Sequence, residues 1–185
     1  MDERIFILHH GTIKKFSDLI LIEKKFVMNS RKDHWLGNGI YFFVDDLEQA
    51  FIWAKLCKRR AIKKQKELSL EQATLTVLEH TFSVDKLDYL NLDSRSDRMK
   101  LDHFIKELAK MEIRIECNDE HENMCLLMDL YVRYYNIKAS KYTFTGNANL
   151  KRLSTVKIEN HGEQFCIYDN GSIDFDTICI KEREG

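Results

Sequence analysis

Three short stretches hold residue types that can do chemistry on a small ligand. His9-His10-Gly11-Thr12 sets an imidazole directly before a glycine. Glycine has no side chain to cover its peptide N–H and C=O, which leaves them available to an amide-bearing ligand. Gly37-Asn38-Gly39, followed by Ile40-Tyr41-Phe42, sets a phenol ring directly after a turn that lets backbone approach a ligand closely. Such a ring suits one wall of a flat pocket. The third stretch is Glu163-Gln164-Phe165-Cys166-Ile167-Tyr168-Asp169. As a strand it points 163 and 164 to opposite faces, so only one of them can enter a given pocket. Each stretch also has a plainer reading. A histidine at a strand end is commonly a satisfied structural residue, and G-x-G is commonly a tight turn. It is not a dinucleotide fingerprint, because the third glycine is missing and a strand follows where that motif opens a helix.

Periodicity indicates the elements that position these residues. Residues 4–9 alternate weakly and predict a buried strand ending at the histidines. The run at 16–22 fits a short helix or a strand. Residues 34–54 read as turn, buried strand and helix. From Leu47 the apolar positions 47, 50, 51, 54, 57 and 61 share one helical face, which predicts a helix to residue 67. Asp45 or Asp46 would cap it, with Glu48 in the first turn favoured by the helix dipole. Residues 74–82 predict a strand, 93–98 a polar linker, and apolar positions 101, 104, 105, 108 and 111 a second helix. An acidic loop over 117–122 and a helix over 124–135 follow. Strands over 141–145, 156–158, 164–168 and 177–181 close the chain. Gly146-Asn147-Ala148-Asn149 and Asp169-Asn170-Gly171-Ser172 supply turns. Strands at both ends with helices between them predict an α+β domain, one unit spanning 1–185.

Composition narrows the class. At 185 residues, 44% hydrophobic and 32% charged, the chain has the balance of one soluble globular domain. No apolar run approaches the ~20 residues of a membrane helix, and the first one is too short for a signal peptide, so a cytoplasmic location is expected. The five cysteines are scattered without C-x-x-C spacing, which argues against zinc and a disulfide framework. A net charge of −1 advertises no nucleic-acid or membrane partner, so polyanion binding would need a local patch. Lys55, Lys58, Arg59, Arg60, Lys63, Lys64 and Lys66 form a basic run on the first long helix. It reads either as a solvated face or as a contact surface for phosphates, RNA or DNA. Asn118-Asp119-Glu120-His121-Glu122 has no EF-hand spacing, and no metal is expected there.

His10-Gly11-Thr12 followed by Gly37-Asn38-Gly39-Ile40-Tyr41-Phe42 resembles the ADP-ribosyltransferase superfamily, in its diphtheria-toxin and poly-ADP-ribose-polymerase class. Those enzymes carry an H-G-[ST] strand, a G-x-G-[IVF]-Y-[FL] strand, a helix with an alanine and an aromatic residue, and a late strand presenting a glutamate. Residues 50–54 (AFIWA) fit the helix. The resemblance touches about a third of the chain; the middle, over about 67–135, matches nothing in it, and a helical insertion is expected over about 95–136. It implies two packed, mostly antiparallel sheets around an NAD cleft with flanking helices. His10 would bond the nicotinamide-side ribose, Gly11 backbone would grip the carboxamide, and Thr12 and Gly39 would line the site. Tyr41 would contact the nicotinamide ring. The usual stacking tyrosine would fall on Ile52, and Trp53 is the substitute chosen over Phe51; a core role is as good a reading for it. In the late strand Gln164 takes the glutamate position, and Glu163 reaches the pocket only through a bulge.

The resemblance therefore implies a mono-ADP-ribosyltransferase using NAD as co-substrate. Nicotinamide departure leaves an oxocarbenium-like ribose that a carboxylate would stabilise and a glutamine would not. The acceptor would be a macromolecule, protein, RNA or DNA, read by the loop over 146–153 through Asn147, Asn149, Lys151 and Arg152. A role as toxin or phage-defence effector would bring a neutralising antitoxin protein as partner. Two alternatives stand beside it. One is a catalytically impaired module of the same fold that binds NAD, ADP-ribose or a partner. The other is an RNA-directed enzyme of the tRNA 2′-phosphotransferase class, whose basic phosphate-binding set is not identifiable here.

Overall fold

A computed structural model describes residues 2–28, 30–32, 34–64, 68–115, 117, 119–145 and 161–184. The element order is β1 (Glu3–Ile13), α1 (Lys14–Glu23), β2 (Ile40–Val44), α2 (Leu47–Lys64), β3 (Leu75–Asp85), β4 (Tyr89–Asn91), α3 (Arg95–Lys110), α4 (Glu120–Tyr135), β5 (Ala139–Thr145), β6 (His161–Ile167) and β7 (Cys179–Arg183). The α+β class holds. The expectation of two packed sheets is corrected: the described strands bond into one seven-stranded sheet of order β4-β5-β6-β2-β1-β3-β7.

All pairings are antiparallel except β4 with β5. A parallel pair needs a crossover, and α3 and α4 provide it. The shortest ladder runs down the middle. β1 pairs with β3 along its whole length, from Glu3 opposite Asp85 to Ile13 opposite Leu75. It pairs with β2 only through Leu8 opposite Val44 and His9 opposite Phe43. Beyond His9 the two strands part, β1 staying with β3 and β2 with β6.

Three apolar clusters hold the layers. Leu8, Phe42, Leu78 and Phe165 centre the first, on one sheet face. Ala50, Phe51 and Ala54 of α2 pack on Phe43, Leu75 and Val77 in a second. Leu101 and Phe104 of α3 and Met128 and Tyr131 of α4 meet Leu90 and Cys166 in the third. Each fully buried large side chain contributes about 1.5–3 kcal/mol.

Local chemistry explains the element ends. Asp46 Oδ1 accepts from Gln49 N at 2.8 Å and caps α2. α4 ends at Asn136 in the left-handed region, φ 52°, a conformation asparagine tolerates. Asp119 accepts from the His121 and Glu122 amides, so the segment expected as an acidic loop already begins α4. The expected linker over 93–98 is likewise helical from Arg95, because Ser94 and Asp97 read as polar loop residues yet start a helix well. β4 was not anticipated, being only three residues long. The undecided run at 16–22 is helical, and the last strand starts at Cys179 after a short turn over Phe175–Thr177. The predicted strand at 156–158, the turn at 146–149, the acceptor loop at 146–153 and the helix end at 65–67 lie outside the described residues. No helix among the described residues is long and apolar enough to cross a membrane.

Candidate functional site

Where β1 and β2 part, a cleft of about 790 Å3 opens. Its lining includes His10, Gly11 and Thr12 from β1, Gly39 and Tyr41 at the start of β2, Trp53 from α2 and Gln164 from β6. Segments distant in sequence thus share one concavity.

His10 sits at the fork. Its Nδ1 lies 2.9 Å from the Tyr41 carbonyl oxygen. A carbonyl only accepts, so Nδ1 carries the proton. Burial lowers the pKa of the imidazole below its ordinary value, against the opposing hydrogen bond to Tyr41. At neutral pH the ring is therefore uncharged and Nε2 is an acceptor. Phe26 and Phe42 meet the ring edge-on, at centroid distances of 5.0 and 5.7 Å, and fix its plane.

The turn before β2 is held by side chains on several elements. Tyr41 Oη donates to Gly37 O at 2.8 Å and accepts from Leu36 N at 3.1 Å. Tyr168 Oη donates to Leu36 O at 2.6 Å and lies 2.5 Å from Ser140 Oγ. Asp129 of α4 accepts from Asn38 N and Asn38 Nδ2, both at 2.7 Å. Gly37 has φ 78°, and a β-carbon there would fall 2.7 Å from Asp129 Oδ1. Burial pushes the Tyr41 phenol well above its usual range, and both its bonds go to backbone. Tyr41 therefore offers a ligand its ring and not its hydroxyl.

Gly11 is needed for a reason unrelated to a ligand. A β-carbon there would fall 1.9 Å from the Ala50 carbonyl oxygen, so α2 can lie on β1 only across a glycine. That contact brings the helix stripe of Trp53, Cys57 and Arg60 to the cleft wall. Of the two aromatics weighed on α2, Phe51 is buried in the core and Trp53 lines the cleft. Trp53 meets Phe43 at 6.5 Å and the Arg60 guanidinium at 5.3 Å.

β6 separates the two candidates at 163 and 164. Gln164 pairs with Phe43 on one side and Tyr142 on the other, and lines the cleft. Glu163 is not part of the lining. It is bonded to Lys141 Nζ, which also lies 3.0 Å from Asp93 Oδ2. Burial works against the charge on Lys141, but the two carboxylates outweigh it and raise its pKa. No bulge shifts the register of β6 on β2: the pairs run unbroken from Ile40 opposite Ile167 to Phe43 opposite Gln164.

Sequence reasoning missed part of the lining. Phe26, Arg31, His34 and Trp35 come from the polar stretch between α1 and β2, and Phe144 from β5. That stretch has no periodicity to reveal which way it folds. Cys57 had a usable signal, since it lies four residues after Trp53 on one helical stripe; Arg60, three residues further on, belongs to the basic run already weighed as a contact surface for phosphates. The charged lining is mostly basic, Lys25, Arg31 and Arg60 against Glu23.

No protein-family model matches the chain. It is 33% identical over 89 residues to the uncharacterized protein MJ0359 of Methanocaldococcus jannaschii. The match covers 43% of this chain and 42% of that protein, so the chain spans less than half of that relative's length.

Proposed function

We propose that the protein is a mono-ADP-ribosyltransferase that uses NAD as co-substrate and a macromolecule as acceptor. One observation carries the reading: His10, Tyr41 and Gln164, from three separated segments, line one cleft. Its volume of about 790 Å3 falls in the ~300–1,000 Å3 range of small-molecule sites. The uncharged His10 accepts a ribose hydroxyl through Nε2. Tyr41 provides a flat wall for the nicotinamide ring, and Trp53 a second aromatic surface. Lys25, Arg31 and Arg60 offset the diphosphate charge. The bond between nicotinamide N1 and ribose C1′ breaks, its electron pair leaving with the pyridine nitrogen. A lone pair on the acceptor closes the new bond to C1′, and the acceptor's proton passes to solvent.

Gln164 bonds a ribose hydroxyl without adding negative charge, so the site favours slow, single transfer over polymer growth. Release of nicotinamide from NAD, measured for the wild type and for His10→Ala, tests the reading. Release that His10→Ala abolishes is the expected result; a protein that neither binds NAD nor releases nicotinamide overturns it. The position of Gln164, with Glu163 tied to Lys141, also favours a second reading, a module that binds NAD or ADP-ribose without turnover. Calorimetric binding of NAD without nicotinamide release under any acceptor identifies that case.

A further inference from the structure

The wall that α2 gives to the cleft continues past it as a strip of positive charge. Trp53, Cys57 and Arg60 line the cleft, and Lys64 lies one further turn along the same stripe. Arg59 and Lys63 flank the strip on the exposed side. From Gln49 to Lys64 the helix holds six basic side chains and no acidic one. No carboxylate among the described residues forms an ion pair with Arg59, Lys63 or Lys64. Several lysines elsewhere are paired: Lys100 with Asp97, Lys110 with Glu107, Lys138 with Asp88 and Lys32 with Glu122. In a chain of net charge −1, a run of basic side chains without ion-pair partners among the described residues thus lies beside the cleft.

We infer that the α2 ridge binds the phosphate backbone of a single-stranded nucleic acid and delivers one of its nucleotides to the cleft as acceptor. The aromatic lining favours this class over an acidic protein. Trp53 stands at the foot of the ridge, and Trp35 and Phe144, 6.2 Å apart, at another part of the lining. A basic track ending in stacking rings is how single strands are held without sequence preference. The basic span from Lys55 to Lys64 is about 14 Å long at 1.5 Å per residue, enough for a few phosphates of an extended strand. A duplex presents no unstacked base to such a pocket. The acceptor role rests on the transferase reading; the binding itself does not. In the transfer, a base or hydroxyl lone pair of the strand bonds to C1′ as the bond to nicotinamide breaks, and the displaced proton goes to solvent.

The test is NAD-free fluorescence anisotropy with labelled single strands of about 20 nucleotides, DNA and RNA, across a salt series. The wild type should bind both, with a duplex of equal length competing poorly. R59Q/K63Q/K64Q should weaken binding about tenfold at low salt and flatten the salt slope by about 2, at ~0.7 per lost phosphate contact. The same number of neutralisations on α3, K100Q/K106Q/K110Q, should leave it unchanged. Trp53→Ala should weaken binding without altering the slope. Circular dichroism confirms that the exposed ridge substitutions leave the fold intact. The proposal is overturned by absence of oligonucleotide binding, by equal loss in the α3 control, or by poly-glutamate competing as well as the oligonucleotide. A protein that releases nicotinamide but ignores the oligonucleotide overturns this inference and leaves the transferase reading standing. One that binds the strand but not NAD keeps the ridge and removes the acceptor role.

Discussion

The His10 imidazole donates from Nδ1 to the Tyr41 carbonyl oxygen at 2.9 Å, at the point where the ladder between β1 and β2 stops. A side chain here takes over the bridging that backbone performs one pair earlier, at His9 opposite Phe43. The strands diverge beyond this point to form the cleft, and Nε2 of the same ring is left as an acceptor. One residue thus both bridges the two strands and lines the cleft.

His10→Ala should lower nicotinamide release at least about tenfold, the cost of one hydrogen bond of ordinary net strength together with its unsatisfied partner. His10→Asn, which can still reach the Tyr41 carbonyl, should recover stability more than activity. Rates at saturating NAD and urea midpoints of both variants check this.

The buried His10 should make stability pH-dependent in one direction. Its pKa is lowered in the folded state from 6.5, so just below that value the unfolded chain binds a proton that the fold does not. Stability therefore rises with pH through the window under 6.5 and is lost as the solution is acidified, by up to ~1.4 kcal/mol per pH unit for one group. His80, whose pKa burial also lowers, titrates in the same sense. His10→Gln should remove part of the slope in urea titrations between pH 5 and 7. Nicotinamide release should hold through the upper part of that window and fall only at more acid pH, below the lowered pKa of the folded ring, where protonation turns Nε2 from acceptor to donor.

Asp129→Ala should loosen the turn before β2 although Asp129 is not part of the cleft lining. It removes two bonds to Asn38, each of the charge-assisted kind worth ~1.5–3 kcal/mol. A loss of about 2–4 kcal/mol in chemical unfolding is expected. NAD affinity, measured calorimetrically, should drop with it. Unchanged stability would mean that the turn holds itself.

Gly11→Ala should destabilise by about 1–3 kcal/mol or more, because the new methyl meets the Ala50 carbonyl, a backbone group that cannot swing aside. Gly162→Ala, with open space around its β-carbon, should cost far less. Thermal midpoints of the pair make the comparison.

Gln164→Glu should raise nicotinamide release, about tenfold or more, by placing a carboxylate beside the developing ribose charge. Glu163→Gln should leave the rate nearly unchanged while weakening the Lys141 link between β5 and β6. Single-turnover rates and unfolding curves of the two variants separate the roles; the reverse pattern would sink the assignment of Gln164 to the ribose.

The sequence alone determined what short-range rules can decide. The Gly37-Asn38-Gly39 turn, the strand at 40–44 and the apolar stripe of α2 follow from conformational freedom and periodicity within a few residues. Alternation along β6 dictated that 163 and 164 face opposite ways. Which of them faces the cleft was a matter of pairing, decided when Phe43 met Gln164 and Lys141 captured Glu163. Only tertiary structure could part β1 from β2, recruit Asp129 to the turn, and bring Phe26 and Trp35 into the cleft lining. Those contacts join residues far apart in the chain, where no local pattern records the partner, and their geometry exists only once the whole sheet has closed.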